Sequence, residues 1–214
     1  MAKIEPFEKN FELYEKWFEE NKFVYLSELE SIKKLLPQKG KGIEIGVGSG
    51  RFAGPLGIEL GLEPSPKMRE LAIERDLITI DGSAENIPIG SSAFDYVLMV
   101  TTVCFLDNLT QSFFEVNRIL KPNGKFIIGF VDRESKIGKF YEEHKNENPF
   151  YRFAEFYTTK ELKVILEKTG FSKFEYKQTI FNPVDKIYGI EPVLDGYGKG
   201  SFVVIKATKI KGIK

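Results

Sequence analysis

Residues 44–50 read Glu-Ile-Gly-Val-Gly-Ser-Gly, an apolar run holding one carboxylate and then three glycines at alternate positions. Glycines spaced this way let a backbone pass close to a bound molecule, because no Cβ stands between them. A dinucleotide fingerprint needs G-x-G-x-x-G, whose third glycine lets a long helix pack and aim its N-terminus at pyrophosphate. Here the third glycine comes one position early, and Gly54-Pro55 and Gly57 interrupt any following helix almost at once. No Gly-Lys-Ser/Thr follows, so a P-loop is excluded. The chemistry that remains is close backbone approach to a ligand that does not depend on strong anion binding. The same G-x-G-x-G spelling recurs at 195–200, but it precedes a strand and has none feeding it, so it reads as a flexible turn.

The elements that must position this loop follow from hydrophobic period and turn chemistry. Residues 7–36 are helical in pattern, with Phe11, Tyr14, Trp17 and Phe18 on one face and a second helix starting near Ser27. The breaker cluster Pro37–Gly40 ends it, and a short strand then runs into the glycines. A second short strand covers 58–62, and Ser65-Pro66 caps a helix that reaches about Arg75. A third strand ends at Asp81; residues 94–100 form a fourth, apolar on both faces. A helix over 110–120 leads through Lys121–Gly124 into a fifth strand. Thr158-Thr159-Lys160-Glu161 spells a capping box for a helix ending at Gly170, and strands near 172–181 and 201–208 close the chain. Strands alternating with helices predict an α/β sheet with parallel strands and right-handed crossovers. Ligands bind such sheets beyond the carboxyl ends of the strands, at the switch point beside the first strand, which is where the glycine loop falls.

Composition excludes several classes. The 214 residues carry 31 Lys plus Arg and 31 Asp plus Glu, so no global field steers the chain onto nucleic acid. No apolar run approaches the roughly 20 residues of a membrane span, and the N-terminus lacks a signal-peptide core. One cysteine, Cys104, and one histidine, His144, rule out an internal disulfide and argue against a metal site. These features predict a soluble, cytoplasmic protein without metal.

Four segments in register then resemble the class I S-adenosylmethionine-dependent methyltransferases, in particular the branch of quinone-biosynthesis-type and other small-molecule enzymes. They are EIGVGSG, LEPSPKM (62–68), DGSAENIPI (81–89) with FDYVL (94–98), and ILKPNGKFII (119–128). The resemblance covers about residues 40–210. It implies a Rossmann-like, doubly wound, mostly parallel seven-stranded sheet with an antiparallel C-terminal strand. It also implies a helical cap over 1–39, a cofactor-binding core over 40–132, a helical insert or lid over 133–157, and the rest of the core over 158–214. The cofactor is S-adenosyl-L-methionine, with S-adenosyl-L-homocysteine as product. Gly46, Gly48 and Gly50 would make room for its methionine part, and Glu44 would add negative potential near its ammonium and sulfonium. Glu63, with Pro64 and Ser65, corresponds to the segment whose carboxylate holds the ribose hydroxyls. Ser83, Ala84 and Glu85 fall on the adenine side, and Met99 and Val100 would pack on the nucleoside. Two departures stand out: only twelve residues separate Gly50 from Glu63, and Ser83 occupies a position where many relatives carry Asp.

The acceptor side is read from aromatic residues. Tyr14, Trp17 and Phe18 in the N-terminal helices, and Tyr141 and Tyr151 in the insert, suit an apolar or planar small molecule. Asp132, ending the fifth strand, and His144, in the insert, are the candidate bases; Cys104 reads as packed core. The expected reaction is in-line methyl transfer, in which orientation alone can contribute roughly 7–11 kcal/mol. A non-catalytic nucleoside-binding regulator, a nucleic-acid methyltransferase and an NAD-dependent dehydrogenase are the alternatives. The first is opposed by the intact Glu44 and Glu63. The second is opposed by the absence of an Asn/Asp-Pro-Pro-aromatic motif after the fourth strand, and the third by the glycine spacing.

Overall fold

A computed structural model describes residues 4–210; the ends of the expected cap and C-terminal segments, 1–3 and 211–214, lie outside the described residues. The described strands are β1 (Gly42–Ile45), β2 (Leu60–Leu62), β3 (Ile78–Ile80), β4 (Phe94–Val100), β5 (Leu120–Val131), β6 (Phe171–Thr179), β7 (Leu194–Asp195) and β8 (Phe202–Lys209). They form one sheet in the order β3-β2-β1-β4-β5-β8-β6-β7. Pairs from β3 through β5 are parallel, and β8 inserts antiparallel between β5 and β6. The order reverses between β1 and β4, so their carboxyl ends form the switch-point crevice.

The expected sheet has seven strands; the described residues show eight. The extra edge strand β7 opens the second glycine-rich run, which side-chain hydrogen bonds tie to β6. Gln178 of β6 accepts from the amides of Lys199 and Gly200, each at 2.8 Å, and its Nε2 donates to the Asp195 carbonyl at 3.1 Å. Gly196 and Gly198, with φ of +83° and +93°, supply the left-handed backbone of the turn that leads from β7 to β8.

The N-terminal helices also break where the periodicity does not show it. They are α1 (Glu5–Lys9), α2 (Phe11–Glu20) and α3 (Lys22–Lys33). Asn10 and Asn21 end the first two, each turning its side-chain amide back on the carbonyl four residues earlier, at 2.9 and 3.0 Å. A hydrophobic stripe runs on through such breaks, so it cannot reveal them.

Helices α4 (Pro66–Ile73), α5 (Leu109–Ile119), α6 (Lys136–Glu143) and α7 (Thr159–Lys168) complete the described set. α5 and α7 cover one face of the sheet through Phe113, Val116, Leu162 and Leu166. Phe18, Ile32 and Ala72, from α2, α3 and α4, cover the other. The capping box on Thr158 and Glu161 forms as its spelling predicts. Among the described residues no helix is long and apolar enough to cross a membrane.

Asp132, just past β5, fastens the insert's far end to the sheet. Its buried carboxylate accepts from the Thr159 amide (2.9 Å), the Thr159 hydroxyl (2.5 Å) and the Glu134 amide (2.9 Å). Removing the acceptor strands the two buried Thr159 donors and frees the part-buried Glu134 amide. Asp132→Ala is therefore expected to lose about 2–4 kcal/mol in urea unfolding; an unchanged midpoint would contradict this structural role.

Candidate functional site

A cavity of about 350 Å³ opens at the carboxyl ends of β1, β2 and β4, in the size range of small-molecule sites. Its floor is the glycine loop. Gly46, Gly48 and Gly50 all have positive φ, at +69°, +54° and +84°. A Cβ on Gly46 would lie 2.4 Å from the Thr102 methyl, and one on Gly48 would lie 3.0 Å from the Tyr14 hydroxyl. Gly46 and Gly48 line the cavity. Gly50 does not: it turns under the loop, where a Cβ would meet Leu77 at 2.4 Å. Its role is packing.

Glu63 ties this floor to β2. One carboxylate oxygen accepts from the Gly48 amide and the other from the Ser65 amide, both at 2.9 Å. Arg69 braces the same turn, donating to the carbonyls of Glu63 and Pro64. Burial raises the Glu63 pKa, and the two amides and Arg69 pull it partly back. Glu63 and Pro64 line the cavity, whereas Ser65 is buried as the N-cap of α4, accepting from the Met68 amide at 3.2 Å.

Glu44 lies behind the loop and does not line the cavity. It is 1% exposed, its Oε2 has no hydrogen-bond partner among the described residues, and burial drives its pKa well up. Met99 is likewise enclosed in the core, while Val100 reaches the cavity. Ser83, Ala84 and Glu85 line one wall. Glu85 is already engaged, accepting from the Asp107 amide at 3.0 Å.

The roof is aromatic and comes from two segments. Tyr14, Trp17 and Phe18 of α2 meet Tyr141 of α6 and Tyr151 of the insert around the same space. Phe7 joins the two halves, with its ring 5.9 Å from Tyr14, 5.1 Å from Phe105 and 5.4 Å from Phe150. Two carboxylates clamp the helices down. Glu8 accepts from the Ser65 hydroxyl and from the Lys67 amide, the latter at 3.1 Å; Glu15 pairs with Arg51 and Arg75 beside the glycine loop.

Neither candidate base reaches this cavity. Asp132 is consumed by the α7 cap. His144 stacks on Phe140 at 4.3 Å on the outer side of α6, with Nδ1 2.9 Å from the Phe140 carbonyl. Cys104 is buried, as expected, but also borders the cavity beside Ala154 and Phe156.

Met68, Thr102 and, above all, Glu28 join the cavity lining although no motif marks them. Glu28 lines the cavity at 5% exposure, and burial pushes its carboxyl up to about 8. The signal was present: Val24, Glu28, Ile32 and Leu35 follow one helical stripe, so a carboxylate stands where an apolar residue is expected.

Comparison with known proteins matches residues 43–128 to the methyltransferase domain family. A Thermotoga maritima S-adenosylmethionine-dependent methyltransferase, described as a possible histamine N-methyltransferase, is 48% identical with a TM-score of 0.95, covering 96% of this chain and 99% of its own. An uncharacterized Methanocaldococcus jannaschii protein is 43% identical over 95% of this chain and 98% of its own length. The ubiquinone/menaquinone biosynthesis C-methyltransferase of Blochmanniella pennsylvanica is 30% identical over 54% of this chain and 53% of its own.

The buried acids set a testable pH dependence. A carboxyl with a folded pKa near 8 and an unfolded value near 4.3 holds its proton more tightly in the folded state. Its contribution to stability is therefore full below about pH 4 and is lost as pH rises towards 8, at up to roughly 1.4 kcal/mol per pH unit. Glu44 and Glu63 act with the same sign. Denaturant titrations of ligand-free protein between pH 5 and 8 should show a shallower decline for Glu28→Gln than for the wild type; parallel declines would refute the assignment.

Proposed function

We propose that this chain, which belongs to the S-adenosylmethionine-dependent methyltransferases, seats its cofactor between the glycine loop and Glu63 and methylates a small-molecule acceptor beneath the aromatic roof. The observation that carries this reading is the shared cavity: the glycine loop, Glu63 and the roof rings border one space of about 350 Å³.

The donor set fits the cofactor. Each Glu63 oxygen has accepted one amide and keeps capacity for a second donor, as two adjacent ribose hydroxyls require. Gly46 and Gly48 leave the floor bare where a Cβ would project. Glu44 lies behind the loop with Oε2 lacking a partner among the described residues, and a cationic methionine end held above the loop would favour its ionised form. Ser83 and Ala84 would border the adenine, with Val100 and Met68 packing the nucleoside from below. When bound, the cofactor supplies an electrophilic methyl on a sulfonium.

The chain's own part is to hold, align and dry the reactants. Glu63 and the loop fix the donor end. The Tyr14, Trp17, Tyr141 and Tyr151 rings confine an apolar acceptor and exclude water, favouring the near-attack geometry on which displacement depends. The aromatic lining supports a small acceptor rather than a nucleic acid strand, since the cavity's bordering side chains include no Lys or Arg among the described residues.

Calorimetric titration with S-adenosylhomocysteine tests the seat. Wild-type protein should bind it, and Glu63→Ala should weaken binding at least tenfold, about 1.4 kcal/mol, while keeping the wild-type far-ultraviolet spectrum. At a hundredfold excess over its dissociation constant the ligand should add about 2.7 kcal/mol of stability. Stabilisation by NAD instead, or equal affinity in Glu63→Ala, would overturn the reading.

A further inference from the structure

Glu28 is not accounted for by the cofactor seat. It lies on the inner stripe of α3, 5% exposed, with its side chain on the cavity wall. Among the described residues no charge or hydrogen bond offsets its burial, which raises its proton affinity. Its neighbours are rings. Tyr141 of α6 and Tyr151 of the insert both sense its charge and lie 4.7 Å apart between centroids. Phe156 closes against Tyr151 at 5.5 Å. Among the described residues, Tyr25 on its own helix, Tyr141 and Tyr151 feel its charge, and Cys104 lies beyond Tyr151. None of these brings a positive charge.

The cavity as a whole repeats that imbalance. Its bordering residues include the carboxylates Glu20, Glu28, Glu63 and Glu85, and no Lys, Arg or His among the described residues. An anionic acceptor would be repelled from such a space. A cation with an apolar body gains ion pairing in a low dielectric and attraction to the ring faces.

We propose that Glu28 is the acceptor-side catalytic carboxylate, and that the acceptor is a small primary or secondary amine on an apolar or aromatic body, held as its ammonium by Glu28 and the Tyr141 and Tyr151 rings. This rests on the cavity being the methyl-transfer site. The amine enters protonated and passes one proton to the Glu28 carboxylate, which frees the nitrogen lone pair. That pair forms the new N–CH₃ bond as the S–CH₃ bond breaks, and its electrons remain on sulfur, leaving S-adenosylhomocysteine as a neutral thioether. The nitrogen is again cationic, and the proton on Glu28 leaves to solvent. A carboxyl raised towards neutral pH is matched to this exchange, because it can both take and release a proton there.

The test uses the intact chain saturated with S-adenosylhomocysteine and three probes of one shape: 2-phenylethylamine, 2-phenylethanol and phenylacetate. Calorimetry should show the amine binding at least tenfold more tightly than either of the others. Binding at pH 7 should also release a proton, read as a dependence of the heat on the buffer's ionisation enthalpy. Glu28→Gln, nearly isosteric, should abolish both the preference and the proton release while keeping S-adenosylhomocysteine affinity within twofold. Glu19→Gln, an exposed carboxylate outside the cavity, should retain both. Absence of amine binding, equal binding of the three probes, a preference for phenylacetate, or an amine preference surviving in Glu28→Gln would each overturn the proposal. Failure of S-adenosylhomocysteine itself to bind would count against the cofactor seat, and the same probes added to ligand-free protein would then decide Glu28.

Discussion

The site is organised by one buried carboxylate accepting two backbone amides from different segments. Glu63 takes the Gly48 amide from the loop after β1 and the Ser65 amide from the turn before α4. Those bonds set the loop against the end of β2 and help offset the cost of burying the charge. They also explain how the sheet manages without a full helix between β1 and β2. Only a 3₁₀ turn at Gly54–Leu56 fills that crossover, so the loop is held by a side chain where a longer helix would otherwise hold it.

Around that anchor the chain builds two unlike halves. The floor is backbone and carboxylate; the roof is rings. Roof and floor are joined at the edges by charge, through Glu8 on the α4 N-terminus and Glu15 on Arg51 and Arg75. The arginines near the cavity are thus drawn outward into the clamps, and the interior is left acidic and aromatic. Arg51 also stacks over Phe18 at 5.2 Å, so one side chain serves both halves.

Much of this was legible in the sequence, for physical reasons that differ by element. The apolar run of β4 and the capping spellings at Ser65 and Thr158 are local signals, and the structure follows them. The breaks at Asn10 and Asn21 depend on a side-chain amide returning to a carbonyl, and the Gln178 anchor joins residues some twenty positions apart. Composition does not encode such contacts. Asp132 looked like a site residue because it ends a strand at the ligand-binding edge, yet its oxygens are spent on the Thr159 cap. Glu28 is the reverse case: no motif marks it, and only its place on the apolar stripe of α3 sets it apart from the other charges of that helix.

The central claim is that Glu63 and the glycine loop form the seat for the nucleoside. A crystal structure of the chain with S-adenosylhomocysteine tests it most directly. Both ribose hydroxyls should lie within hydrogen-bond distance of the Glu63 carboxylate, with the amino-acid end over Gly46 and Gly48. Nucleoside density elsewhere, with the Glu63 carboxylate contacting only Gly48 and Ser65, would contradict it.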